Sequence, residues 1–161
     1  MRNFDYLQDL EFNALHRLCA SAEEHQQCNP DISVINARRA LEYIVHALYQ
    51  MKGMEVPERT SLFELIEDET FKTFIGDETV LKSIHYIRKI GNNGAHTSEV
   101  RKKESFFCIL NLYNVVSTIL KKLGFIEEIK PFDKSLIPSV PQSLIVATPK
   151  VEEVTSLDKI V

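Results

Sequence analysis

The sequence predicts an all-α domain, on three observations. Apolar residues recur at spacings of three and four through four long stretches. Pro, Gly and helix-start residues punctuate the gaps between them. No alternating apolar/polar run of useful length occurs before residue 130.

The first helix is expected from about Asp5 to Gln26, where Leu7, Leu10, Phe12, Leu15, Leu18, Cys19 and Ala22 fall on one face. Asn29-Pro30-Asp31 forms a turn and a start signal, and Ile32, Ile35, Ala37, Leu41, Ile44, Val45, Leu48 and Tyr49 carry a second helix to Met51, before Gly53. Thr60-Ser61-Leu62-Phe63-Glu64 contains a capping box, opening a short helix through Glu69, and a further short segment follows at 71–75. Asp77-Glu78-Thr79 begins the next helix, with an apolar stripe of Val80, Leu81, Ile84, Ile87 and Ile90. Helix interiors disfavour Gly by roughly 1 kcal/mol relative to Ala, so Gly91 is read as its stop and Gly94 as part of a turn that presents Asn92 and His96 at the bundle's edge. The last long helix is expected to begin between Thr97 and Glu104 and to end near Lys122, before Gly124. Its core candidates are Phe106, Phe107, Ile109, Leu110, Leu112, Tyr113, Val116, Ile119 and Leu120.

Residues 1–130 therefore form the helical domain, and 131–161 a tail. Pro138, Pro141 and Pro149 make that tail an extended arm or a linker, with room for one short strand in the apolar run Leu144-Ile145-Val146-Ala147.

At 161 residues the chain suits one domain and leaves no room for a second catalytic one. A hydrophobic share of 44% and a charged share of 26% are ordinary for a folded domain. The net charge of -4 gives no global attraction for a polyanion, so such binding must come from a local patch. Cys19, Cys28 and Cys108 show neither a disulfide framework nor metal-ligand spacing, and the histidines have no carboxylate or thiol at ligand spacing, so no metal site and no cofactor are expected. With no signal-peptide core and no run near the ~18 apolar residues of a membrane span, a cytoplasmic location without membrane partners is expected.

The segment Ile87-Arg88-Lys89-Ile90-Gly91-Asn92-Asn93-Gly94-Ala95-His96 sets an amide and an imidazole beside cations, groups that hold and act on a phosphate. Metal-independent RNA cleavage needs a base for the 2′-hydroxyl, an acid for the leaving oxygen and cations for the phosphoryl charge. His96, Arg88 and Asn92 have those types, and in a homodimer with facing motif helices two such sets would line one cleft. Simple capping of helix ends by Asn92 and His96 is the other reading. Lys82, Arg88, Lys89, Arg101, Lys102 and Lys103 surround the motif with Glu99 as the one acid from 82 to 103, a cluster that suits nucleic acid or forms an ordinary solvated face. Tyr86 is the stacking candidate near the motif. Arg38 and Glu42, one turn apart, form either an intrahelical salt bridge or a polar network that orients Asn92 and His96.

Asn3-Phe4-Asp5-Tyr6-Leu7, Ala22-Glu23 before Asn29-Pro30-Asp31, Arg38 with Glu42, and Ile87 to Asn92 closing at His96 together resemble one known pattern. It is the N-terminal domain of the restriction subunit of type I restriction-modification enzymes, and the resemblance covers about residues 3 to 120. That domain also occurs as a stand-alone protein of unknown function and is similar to the HEPN superfamily of small helical bundles, which includes metal-independent ribonucleases and toxins of antiviral systems. The resemblance implies an HEPN-like bundle with an extended Pro-containing C-terminal tail. It implies a non-catalytic nucleic-acid-binding (DNA or RNA) or assembly module of a restriction-modification or antiviral defence system, as a homodimer or docked to restriction-system subunits. The alternative it implies is a toxin-like endoribonuclease using His96, Arg88 and Asn92. A parent restriction subunit would be a DNA endonuclease with ATP-driven translocation, whereas this chain has no GxxxxGK[ST] P-loop. Seven residues separate Arg88 from His96, where active HEPN ribonucleases have four to six; Lys89 would give six.

Overall fold

A computed structural model describes residues 1–96 and 99–139. Among them are seven α-helices, α1 (Tyr6–Asp9), α2 (Asn13–Glu24), α3 (Pro30–Met51), α4 (Leu62–Glu67), α5 (Glu69–Ile75), α6 (Glu78–Ala95) and α7 (Lys102–Lys122), then one 3-10 turn (Lys134–Leu136) and no strand. The long helices α2, α3, α6 and α7 make the bundle, with α3 in contact with the other three and α4 and α5 packed beside α6. Val34, Ala37, Leu41 and Val45 of α3, Ile84 and Ile87 of α6, and Ile109, Leu112 and Val116 of α7 are fully buried between them.

Local chemistry sets most helix ends. Pro30 opens α3 where its missing N–H costs nothing. The Ser61 hydroxyl accepts from the Glu64 amide at 3.1 Å while Ser61 N–H donates to Glu64 Oε1 at 2.9 Å, the reciprocal pair expected for α4. Asp77 caps α6 by accepting from Thr79 N–H at 2.8 Å. Gly53 and Gly124 follow α3 and α7 with φ of 69° and 89°, a left-handed turn that costs glycine little.

Four expectations need correction. The first helix is two helices, because Glu11 adopts a left-handed conformation (φ 63°) and Phe12 N–H closes back on the Leu7 carbonyl at 2.9 Å. This corner leaves Phe4 and Leu7 in the core and sets the Phe12 ring edge-on to Phe125 at 5.0 Å. The helix expected through Glu69 ends at Glu67, since Asp68 is extended and its carboxylate caps α5 through Phe71 N–H. Phe107 is 42% exposed rather than core, since it falls on the outer side of α7 while Ser105, Cys108 and Ile109 face inward. Gly91 does not stop α6, which runs on as helix to Ala95.

The first residues after Pro131 lie on the bundle. Phe132 packs edge-on against Tyr113 at 5.3 Å and Phe106 at 6.3 Å, Ile137 is buried, and the Tyr113 hydroxyl donates to the Lys130 carbonyl at 2.8 Å. The Asn3 side chain pairs with the Asp133 backbone, its Nδ2 donating to the carbonyl at 2.9 Å and its Oδ1 accepting from the amide at 2.8 Å. The apolar run 144–147 lies outside the described residues.

Candidate functional site

The motif glycines explain themselves once α6 is placed on α3. A methyl at Gly91 would stand 2.4 Å from Arg38 Cβ and 3.0 Å from the Val34 carbonyl, and one at Gly94 2.5 Å from Val34 Cγ2 and 2.9 Å from the Asp31 carbonyl. The two glycines are a seam that lets the helices touch, one turn apart on the buried face that also carries Ile84, Ile87 and Ile90. Their helix-propensity cost is offset by contact with α3.

With that face buried, period dictates where the rest of the motif goes. Lys82, Lys89 and Asn93, at spacings of seven and four, occupy the opposite, exposed side. His85, Arg88 and Asn92 lie half-buried along its flank, and His96 is exposed at the C-terminal cap. Arg88, Asn92 and His96 stand four residues apart in sequence, so they follow one slowly turning stripe that spans ~12 Å of helix. No hydrogen bond joins them among the described residues. The Asn92 side chain caps nothing there, being inside the helix, and His96 contributes only its backbone N–H, to the Asn93 carbonyl at 3.2 Å.

Arg38 lies over Gly91 and reaches Glu42 at 3.7 Å, the intrahelical pair, with its Nε buried and unpartnered. Neither Arg38 nor Glu42 hydrogen-bonds Asn92 or His96 among the described residues. Arg88 also has a buried, unpartnered Nε, and its guanidinium carbon sits 5.0 Å from the centre of the Phe63 ring. Beside it, His85 Nε2 meets Glu67 Oε2 at 2.8 Å and its ring lies 5.8 Å from Phe63. The His85 hydrogen bond holds the Glu67 carboxyl below its ordinary range, with the Lys72 charge adding to the effect.

The cations divide between two elements. Arg101, Lys102 and Lys103 are exposed at the start of α7, where among the described residues only the Glu104 carboxylate, 3.6 Å from Arg101 Nε, answers them. A helix N-terminus carries a partial positive charge, so three cations there oppose the helix dipole. Lys82, Lys89, Lys102 and Lys103 have no ion pair among the described residues. Tyr86 is engaged by the scaffold, its hydroxyl donating to the Glu104 carbonyl at 3.3 Å.

Two positions, Phe63 in the capping-box string and Glu23 in the family-like pattern, were given no role of their own by the sequence. Phe63 is a half-exposed ring brought to the motif from a different helix. Its outward position was recoverable, because the capping box sets the phase of α4 and Leu62, Leu65 and Ile66 then take the inner face. Glu23 is fully buried: its Oε2 accepts from Asn3 Nδ2 at 2.6 Å and Asn3 N–H at 3.3 Å, while Oε1 has no partner. Burial raises its carboxyl above the ordinary range, and the Asn3 hydrogen bonds pull the other way. The helical phase of Glu23 was legible, since it lies four residues after Cys19 and eight after Leu15 on the buried face of α2; its partner Asn3 was not.

Cys19 and Cys108 are buried, which pushes both thiols up, and the exposed Cys28 thiol donates to the Ser139 carbonyl. No group of three or more His, Cys, Asp or Glu side chains is placed to hold a metal ion among the described residues. No helix among them is long and apolar enough to cross a membrane. Compared with protein families, curated proteins and solved structures, the chain matches none of them.

Proposed function

We propose that this helical domain is a non-catalytic polyanion-binding module, a nucleic-acid-binding or assembly part of a restriction-modification or antiviral defence system. One observation carries the reading. In a chain of net charge -4, Lys82 and Lys89 on the outer face of α6 and Arg101, Lys102 and Lys103 at the head of α7 all project to solvent, with a single carboxylate contact between them among the described residues. Four of these five side chains have no carboxylate to neutralise them among the described residues, and three sit against a helix dipole. Such an arrangement costs stability in the free protein and gains it when phosphates arrive. The resemblance to the N-terminal domain of type I restriction subunits supplies the biological setting, with a homodimer or restriction-system subunits as protein partners.

The stripe Arg88–Asn92–His96 favours a second reading, a metal-independent HEPN-type endoribonuclease. His96 would exchange the protons, Arg88 would hold the phosphoryl charge, and the Asn92 amide would orient the strand. The exposed His96 ring, with no hydrogen bond among the described residues, is accessible for that role.

Binding and its salt dependence test the first reading. For wild type, affinity for an oligonucleotide should fall linearly with log salt. Each lost phosphate contact flattens that slope by about 0.7 on single strands, so Lys82→Gln/Lys89→Gln should flatten it by about 1.4. Undiminished affinity and slope in the double variant would remove the α6 face from the account.

A further inference from the structure

We propose that Phe63 is a base-stacking platform, so that the polyanion this face takes is single-stranded nucleic acid and not duplex. This rests on the polyanion reading of the same face and narrows its substrate class.

The fold gives Phe63 little structural work. α4 already buries Leu62, Leu65 and Ile66, and Phe63 points the other way with 48% of its surface in solvent. Leaving that much ring in water forgoes apolar burial, yet the surroundings hold the ring in place rather than cover it. The Arg88 guanidinium sits 5.0 Å from its centre, and the His85 ring is tilted by 54° at 5.8 Å. His85 is itself fixed by Glu67 at 2.8 Å. Arg88 makes no ion pair or side-chain hydrogen bond among the described residues, and its buried Nε is unsatisfied. A fixed, half-exposed aromatic next to a cation with unused donors matches what an unstacked nucleotide requires: a π face for the base and a charge-assisted donor for the phosphate beside it.

The neighbouring acids are engaged. Glu67 is held by His85 and Lys72, Glu69 reaches Lys72 at 3.3 Å, Glu64 and Asp68 cap helices, and Lys82 and Lys89, without an ion pair among the described residues, stand on α6, the helix that also carries Arg88. A duplex keeps its bases stacked inside and has none to offer a ring at this position. A single strand can lay its phosphates along Lys82 and Lys89 and turn one base onto Phe63.

The chain contains no tryptophan, which makes the test direct. Phe63→Trp installs one fluorophore at the platform. It would be titrated with uridine and deoxyuridine oligomers, an abasic oligomer of equal length and charge, and a duplex. The expected result is emission quenching by both single strands, with the stronger of the two identifying the sugar, and none by the abasic strand or the duplex. Phe63→Leu, which keeps an apolar side chain at the position, should weaken single-strand binding at least about fivefold, the loss of one stacked base. Its abasic binding should stay unchanged. If abasic and base-bearing strands bind the wild type equally and no quenching occurs, the stacking proposal fails while polyanion binding stands. If no oligomer binds at all, both fall.

Discussion

Replacing Gly91 with alanine should destabilise the protein, although the same change in an ordinary helix would stabilise it. The added methyl carbon would stand 2.4 Å from Arg38 Cβ, where carbons in contact sit about 3.5–4.0 Å apart. Neither atom can rotate away, since both are attached directly to helix backbone, and the Val34 carbonyl at 3.0 Å closes the remaining direction. α3 and α6 must therefore separate by about 1 Å or more, loosening contact between Val34, Ala37 and Leu41 on one side and Ile84 and Ile87 on the other. Overpacking of this kind costs about 3 kcal/mol at the upper end of its usual range. Helix propensity returns about 1 kcal/mol, leaving a net loss of about 2 kcal/mol. For a chain of this length, that lowers Tm by about 4–8 °C. Urea unfolding followed by circular dichroism would measure it, with Asn93→Ala as the control: Asn93 is exposed on the opposite face of the same helix, and its change should be neutral or mildly stabilising. A Gly91→Ala protein as stable as wild type would refute the close seam between α3 and α6, and with it the placement of the cations on the outer face.

Three further outcomes follow from buried polar contacts. Because the folded state raises the Glu23 carboxyl, it holds a proton to higher pH than the unfolded chain, so stability should fall as pH rises from 4.5 through the raised value. Glu23→Gln keeps an acceptor for Asn3 and should flatten that decline; parallel urea midpoints against pH for the two proteins would show that Glu23 is not its source. Asn3→Ala removes both bonds to Asp133 and the one side-chain donor to Glu23, and so should speed hydrogen exchange at the Asp133 amide, read by NMR, well before the α3 core is affected. Tyr49→Phe deletes a buried 2.6 Å hydrogen bond to the Leu65 carbonyl and should cost about 1–2 kcal/mol in urea unfolding, with unchanged affinity for oligonucleotides.

What the sequence makes legible here is local. The Ser61/Glu64 box, Pro30 at the head of α3, Asp77 before α6 and the glycines after α3 and α7 act within a few residues, and each falls where the pattern puts it. Gly91 is ambiguous in principle, since a helix end and a close approach both exclude a side chain. Only the identity of the facing backbone, Val34 to Arg38, decides between them. Glu11 is an ordinary helix former that nonetheless adopts a left-handed corner, closed by the Phe12 N–H on the Leu7 carbonyl. The cationic residues were legible as a cluster, and the buried face of α6 determines which of them point outward: Lys82 and Lys89 do, whereas Arg88 turns to Phe63. The pairing of Phe63 with Arg88, and of Glu23 with Asn3, depends on residues 25 and 20 positions apart, beyond the reach of any local pattern.

The most direct test of the central reading is a native gel of the wild type and His96→Ala with labelled single-stranded RNA in EDTA, scored for both retention and cleavage. A shifted, intact band for both proteins is the predicted result. Cleavage by wild type alone, with His96→Ala folded and still shifting the band, would contradict it and make the Arg88–Asn92–His96 stripe a ribonuclease centre.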